Sequence, residues 1–169
     1  NPSLSFEHHR IAEEVSDGEK ILDMFCGIGG FSLTIACRKK AEIYASDINP
    51  YAIKSLISSL KINKLKGTIY PILGDSAYVF SKFFNKTFDR VIMNLPGSAY
   101  QFLKYACRVL SGNGGTIHYY RFAEAINEVI FEFLRLISSF RSVVKILNIR
   151  KVIEVSPRKR LYVIDAYVM

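Results

Sequence analysis

The chain has 169 residues, half of them hydrophobic, with twelve Phe and ten Tyr. That length can bury roughly two-thirds of its unfolded surface. No run approaches the ~20 uninterrupted apolar residues of a bilayer-spanning helix, so a soluble globular domain is expected. The formal charge of +8 points toward a polyanionic partner, nucleic acid first.

The elements follow in chain order. In LSFEHHRIAEEV (4–15), Leu4, Ile11 and Val15 form a helical stripe, and Glu7 lies on it. KILDMF (20–25) reads as a strand, FSLTIACRKK (31–40) as a helix and AEIYASDI (41–48) as a strand ending in acid. Residues 51–63 place Ile53, Leu56, Ile57 and Leu60 on one helical face. TIYPIL (68–73) and FDRVIMNL (88–95) are strands with a short helix between them. A helix over 99–110, a strand over 114–122 and a helix over 124–140 come next. Two strands, within 142–155 and 160–168, pair around Ser156-Pro157-Arg158. Such alternation implies an α/β, doubly wound, mostly parallel sheet with a final antiparallel strand. With no repeats or linkers, 1–169 reads as one domain, and its abrupt start at Asn1 suggests a fragment with a further domain upstream. Cys26, Cys37 and Cys107 are odd in number and lack metal-ligand spacing, so no metal site is expected. That usage fits a reducing, cytoplasmic compartment better than a disulfide framework.

The loop DMFCGIGGF (23–31) follows the first strand, where a doubly wound sheet binds its ligand. Gly27 and Gly29 let backbone approach a ligand; the bland alternative is a tight strand-to-helix turn. A nicotinamide fingerprint would want Gly or Ala where Ser32 stands. Asp47 ends the second strand twenty residues after Gly27, placed for a ribose. Asp75, after the third strand, could meet an adenine amine or cap a helix. Asn94 closes the fourth strand beside the same crevice, and Pro96 fixes the backbone after it; an Asx-type turn is the alternative.

DMFCGIGGF, ASDINPYA with NKLKG, GDS and DRVIMNLP together resemble class I S-adenosylmethionine-dependent methyltransferases. The nearer likeness is to the archaeal and eukaryotic-type tRNA (guanine-37-N1) methyltransferase family, and it extends from NPSLSFEHHRIAEEV to SPRKRLYVIDAYV. The resemblance implies a seven-stranded Rossmann-like methyltransferase sheet, the cofactor S-adenosyl-L-methionine and a monomer acting on the tRNA anticodon stem-loop. It implies cofactor contacts at Asp23, Phe25, Gly27, Gly29, Asp47, Ile48, Asn49, Asp75 and Asn94. Within that set, Asp23 would serve the methionine end, Asp47 the ribose and Asp75 the adenine. It further implies Glu7 as the base for guanine N1, Asn94 and Pro96 at the target base, and RNA contacts at Arg158, Lys159 and Arg160. Ser3 stands where that family usually has Arg, and its amino-terminal tRNA-recognition domains are not in this chain.

Methyl transfer to a ring nitrogen needs alignment, removal of the N1 proton and stabilisation of charge on guanine O6. A carboxylate on an inward stripe, as at Glu7, is either paired or made more basic by desolvation. The bland reading is a solvated first-turn Glu. His8 and His9 read as surface histidines, His118 as a packed one. Rival readings are a wyosine-pathway tRNA transferase acting on a modified guanine and a non-catalytic RNA-binding module. A nicotinamide oxidoreductase is disfavoured by Ser32.

Overall fold

Val, Ile and Leu runs bounded by Asp, Asn and Gly fold here as short parallel strands covered by helices. The computed structural model describes residues 2–81 and 87–169; Asn1 and residues 82–86 lie outside the described residues. The chain divides into two compact units, Asn1–Lys82 and Phe83–Met169.

The first unit runs α1 (Pro2–Glu14), β1 (Lys20–Asp23), α2 (Gly30–Arg38), β2 (Glu42–Asp47), α3 (Pro50–Ile62), β3 (Thr68–Leu73) and α4 (Ser76–Ser81). Its strands lie in the order β3-β2-β1, all parallel, with Asp23 beside Ala45 and Asp47 beside Leu73. Ile21, Leu22, Ile35, Ile43 and Leu56 are fully buried between sheet and helices. The start of α3 is fixed locally: Asn49 accepts from the Tyr51 amide at 3.0 Å, and Pro50 occupies the first turn. β1 stops two residues short of the expected strand. Its continuation turns inward, where the Met24 carbonyl accepts from the hydroxyls of Ser46 and Ser76, both at 3.0 Å.

The second unit runs β4 (Arg90–Met93), a 3₁₀ turn (Ala99–Phe102), α5 (Leu103–Val109), β5 (Gly115–Ala123), α6 (Ile126–Ile137), β6 (Val143–Ser156) and β7 (Lys159–Val168). Its strand order is β4-β5-β7-β6. β4 and β5 are parallel, and β7 runs antiparallel to both β5 and β6. The hairpin around Ser156-Pro157-Arg158 forms where the sequence puts it. The helix expected over 99–110 opens instead as a 3₁₀ turn, because the Leu95 carbonyl accepts from both Ser98 N (3.0 Å) and Ala99 N (2.8 Å) and tightens the entry. His118 is buried, as expected, within a polar row across the strands. Arg90 Nη1 lies 2.7 Å from His118 Nε2, His118 Nδ1 lies 2.6 Å from Asp165 Oδ1, and Asn148 Nδ2 donates to Asp165 Oδ2 at 3.0 Å. Arginine only donates, so Nε2 accepts and Nδ1–H donates to Asp165. Among the described residues, no helix is long and apolar enough to cross a membrane.

Candidate active site

In the first unit the parallel register brings Asp23, Asp47 and Asp75 to the carboxyl ends of adjacent strands, the shared rim that the spacing predicts. Asp23 is completely buried. Its Oδ2 accepts from Ser32 Oγ at 2.6 Å, and its Oδ1 has no hydrogen-bond partner among the described residues. Burial pushes its pKa up to about 7, against the opposing hydrogen bond from Ser32. Leaving such an acceptor unmade costs about 1–3 kcal/mol. Ser32, which looked only like a departure from a fingerprint, is the residue that orients it. Ser32→Ala should cost about 1–3 kcal/mol of stability at pH 8, where Asp23 is ionised, and less at pH 5. Urea denaturation at the two pH values measures this, and equal losses would count against it.

The glycine loop divides its labour. Gly27 (φ +53°) has nothing within 4 Å of the position a Cβ would take, leaving open space above the loop. Gly29 (φ +94°) instead packs so closely that a Cβ would come 2.5 Å from Leu56 Cδ1. The tight-turn reading holds at Gly29, while Gly27 leaves room above the backbone. Gly27 N donates to Asp47 Oδ2 at 2.8 Å and Asn49 N to Oδ1 at 2.9 Å, so loop and strand end lock one carboxylate in place. Asp75 caps α4, accepting from Ala77 N (2.8 Å) and Tyr78 N (3.3 Å), while remaining exposed. Phe25 is half-buried, and Ile48 is 68% exposed, an apolar side chain held in water at the end of β2.

Glu7 is fully buried on α1, with Ile11 and Ala12. Of the two alternatives for an inward carboxylate, the structure shows pairing. Arg10 Nη2 reaches Oε2 at 2.8 Å, and Arg10 Nη1 reaches Glu14 Oε1 at 2.6 Å. His8 is half-buried rather than fully exposed: its ring meets Phe31 edge-on at 4.5 Å, and burial, helped by His9, lowers its pKa. The cause is the packing of α1 against Gly30 and Phe31 of α2. His9 is exposed.

In the second unit, Asn94 is the first residue beyond β4 and is half-buried. The Pro96 carbonyl that follows accepts from Phe122 N at 3.1 Å and Arg121 Nη1 at 3.1 Å. Sequence reading missed Arg121 and its partner Glu132. The only signal was an Arg directly after the buried run Gly115–Tyr120 of β5, and an acid flanking the apolar stripe of α6. Of the basic hairpin, Arg160 is engaged by Glu154 Oε2 (3.2 Å) and the Glu124 carbonyl (2.7 Å), and Lys159 Nζ lies 4.6 Å from the Phe122 ring centre. Arg158 is exposed and has no ion-pair partner among the described residues.

Within the first unit, acids at the ends of successive parallel strands stand beside a glycine loop, the edge at which open α/β sheets take their ligands. The family model described as "TRM5/TYW2 methyltransferase domain" matches residues 1–149, and the chain belongs to that family. It is 38% identical over 169 residues to tRNA (guanine(37)-N(1))-methyltransferase Trm5b of Pyrococcus abyssi, covering 98% of this chain and 48% of that protein. The crystal structure of M. jannaschii TYW2 in complex with AdoMet is similar with a TM-score of 0.89 and 29% identity, over 99% of this chain and 76% of that one. The complex of aTrm5 and tRNALeu gives 0.84 and 35%, over 100% and 47%. The chain thus spans about half the length of the Trm5 relatives. These likenesses cover the whole architecture, so the expected class stands: α/β, seven strands, mostly parallel with antiparallel pairing at the end.

Proposed function

We propose that this chain is the catalytic domain of an S-adenosyl-L-methionine-dependent tRNA methyltransferase that modifies N1 of guanosine 37, acting as a monomer on the anticodon stem-loop. The observation that carries the reading is the buried Asp23 carboxylate, one oxygen of which has no donor among the described residues, beside an open glycine loop. That group suits the ammonium of the cofactor's methionine end. When bound, the cofactor supplies a methyl group on an electrophilic sulfonium.

The remaining roles fall to the chain's own residues. Asp47, already fixed by two backbone amides, offers its outer lone pairs to ribose hydroxyls. Asp75 and Ile48 flank the adenine, one as acceptor and the other as apolar cover, with Phe25 and Asn49 completing the rim. Asn94 holds the guanine edge through its amide, and Pro96 keeps the backbone from turning that amide away. Glu7 receives the N1 proton. Arg10 addresses the ionised, acceptor-only form of Glu7, which is the form a base requires.

Incubating the intact protein with labelled cofactor and unmodified tRNA, then mapping the product nucleoside by mass spectrometry, tests the proposal. Methyl label on guanosine 37 N1 is expected; no transfer, or label elsewhere, overturns it. The similarity to TYW2 supports one rival. Transfer of an aminocarboxypropyl group, or transfer only to a modified guanine, would select that wyosine-pathway reading.

The hairpin cations are assigned to RNA phosphates, with unequal weights. Arg158 is free to release a counterion, whereas Arg160 already has protein partners. Arg158→Ala should therefore lower the slope of log binding constant against log salt by about 0.7–0.9, and Arg160→Ala by less. Filter binding across a salt series measures it, and an unchanged slope for Arg158→Ala removes that contact.

A further inference from the structure

We infer that Arg121, held by Glu132, is a positioning residue for the transfer step: it clamps the loop that presents Asn94. The inference rests on the reading of Asn94 given above. Every contact lies within the second unit. Arg121 projects from β5 and donates through Nη1 to the carbonyls of Pro96 (3.1 Å) and Gly97 (3.3 Å). Its Nε and Nη2 are taken by Glu132 of α6, at 2.9 and 3.2 Å. Its guanidinium carbon sits 4.8 Å from the centre of the Tyr100 ring, in the 3₁₀ turn that ends the same loop. Tyr119, two residues earlier on β5, donates from its hydroxyl to Glu132 Oε1 at 2.7 Å. Burial would raise the Glu132 pKa, but Arg121 and Tyr119 together hold it low, so the pair stays ionised.

The consequence for Asn94 follows from chain geometry. Asn94 leaves β4 at a point where the ladder ends, and Pro96 has no amide hydrogen with which to anchor its own position. The loop is fixed from its carbonyl side. Phe122 N and Arg121 share the Pro96 oxygen, and Arg121 bridges Pro96 and Gly97. A planar fork can span two carbonyls, a carboxylate and an aromatic face at once; an ammonium cannot. Asp23, Asp47 and Asp75, the acids assigned to the cofactor, belong to the first unit and take no part in the contacts named here.

The test uses Arg121→Lys, Glu132→Gln, the double variant and Asn94→Ala in the intact protein. Each is assayed for single-turnover methyl transfer, cofactor affinity by calorimetry, and melting temperature. A misplacement near 1 Å can cost about 10²-fold, so Arg121→Lys should slow transfer by roughly 10–100-fold with cofactor affinity unchanged. Glu132→Gln should slow it less, and the double variant should be no slower than Arg121→Lys, because Glu132 acts through Arg121. A merely structural pair would lower the melting temperature and leave the transfer rate of folded protein intact, which overturns the inference. Additive rate losses in the double variant also overturn it. Asn94→Ala separates the two failures. If that variant is inactive while Arg121→Lys transfers normally, the clamp is wrong; if Asn94→Ala itself transfers normally, the role given to the loop is wrong.

Discussion

Glu7→Gln should leave cofactor affinity nearly unchanged and cut methyl transfer by about 10²–10⁴-fold, the usual worth of a positioned general base. Glutamine keeps the shape of the buried side chain and can still accept from Arg10, but it cannot take up the N1 proton. Arg10 retains its contact to Glu14 in the variant, so the pair does not leave a stranded cation. Single-turnover rates with saturating cofactor, beside a melting curve that shows the variant folded, make the measurement. Normal transfer at neutral pH would take Glu7 out of the mechanism.

Asp23→Asn should have the opposite profile, losing the cofactor before it loses the fold. A charge-assisted hydrogen bond is worth about 1.5–3 kcal/mol, so affinity should fall by roughly 10–150-fold. The apo protein should respond with the reverse sign. The native pKa of Asp23 is raised to about 7, whereas an unfolded aspartate titrates near ~3.9. Between those values the native state holds a proton that the unfolded state has released, so Asp23 makes stability fall as pH rises from about 4 to about 7. The asparagine variant lacks that contribution and should be more stable than the parent at pH 8, with the difference shrinking toward pH 4. Denaturation at several pH values and calorimetric titration with S-adenosylmethionine test both halves. In the parent, affinity should rise with pH up to about 7, since the ionised carboxylate is the binding form. Unchanged affinity in the variant would dissociate Asp23 from the ligand.

The strands and helices were legible because each carries its own periodicity. Alternation of short apolar runs with 3.6-residue stripes is a local property; the boundary missed at 24–25 lies where the distant Ser46 and Ser76 hydroxyls hold the Met24 carbonyl, and that at 99–102 where the nearby Leu95 carbonyl tightens the turn. The acids were legible for a related reason: parallel strands of similar length put their carboxyl ends on one rim, so position along the chain maps directly onto position at the site. Ser32 was legible as a departure from a nicotinamide fingerprint, but its 2.6 Å bond to Asp23, nine positions away across the glycine turn, was not.

The sequence by itself determined the α/β class, the rim of three carboxylates, the inward Glu7 and the amide that closes β4, since all of these follow from residue type and spacing. Tertiary structure decided which partners those groups meet: Ser32 for one oxygen of Asp23 and, among the described residues, none for the other, and Arg121 with Glu132 behind the Asn94 loop. These pairings depend on side chains from separate elements converging, Ser32 of α2 on Asp23 of β1 and Arg121 of β5 on Glu132 of α6, and no local pattern encodes that convergence.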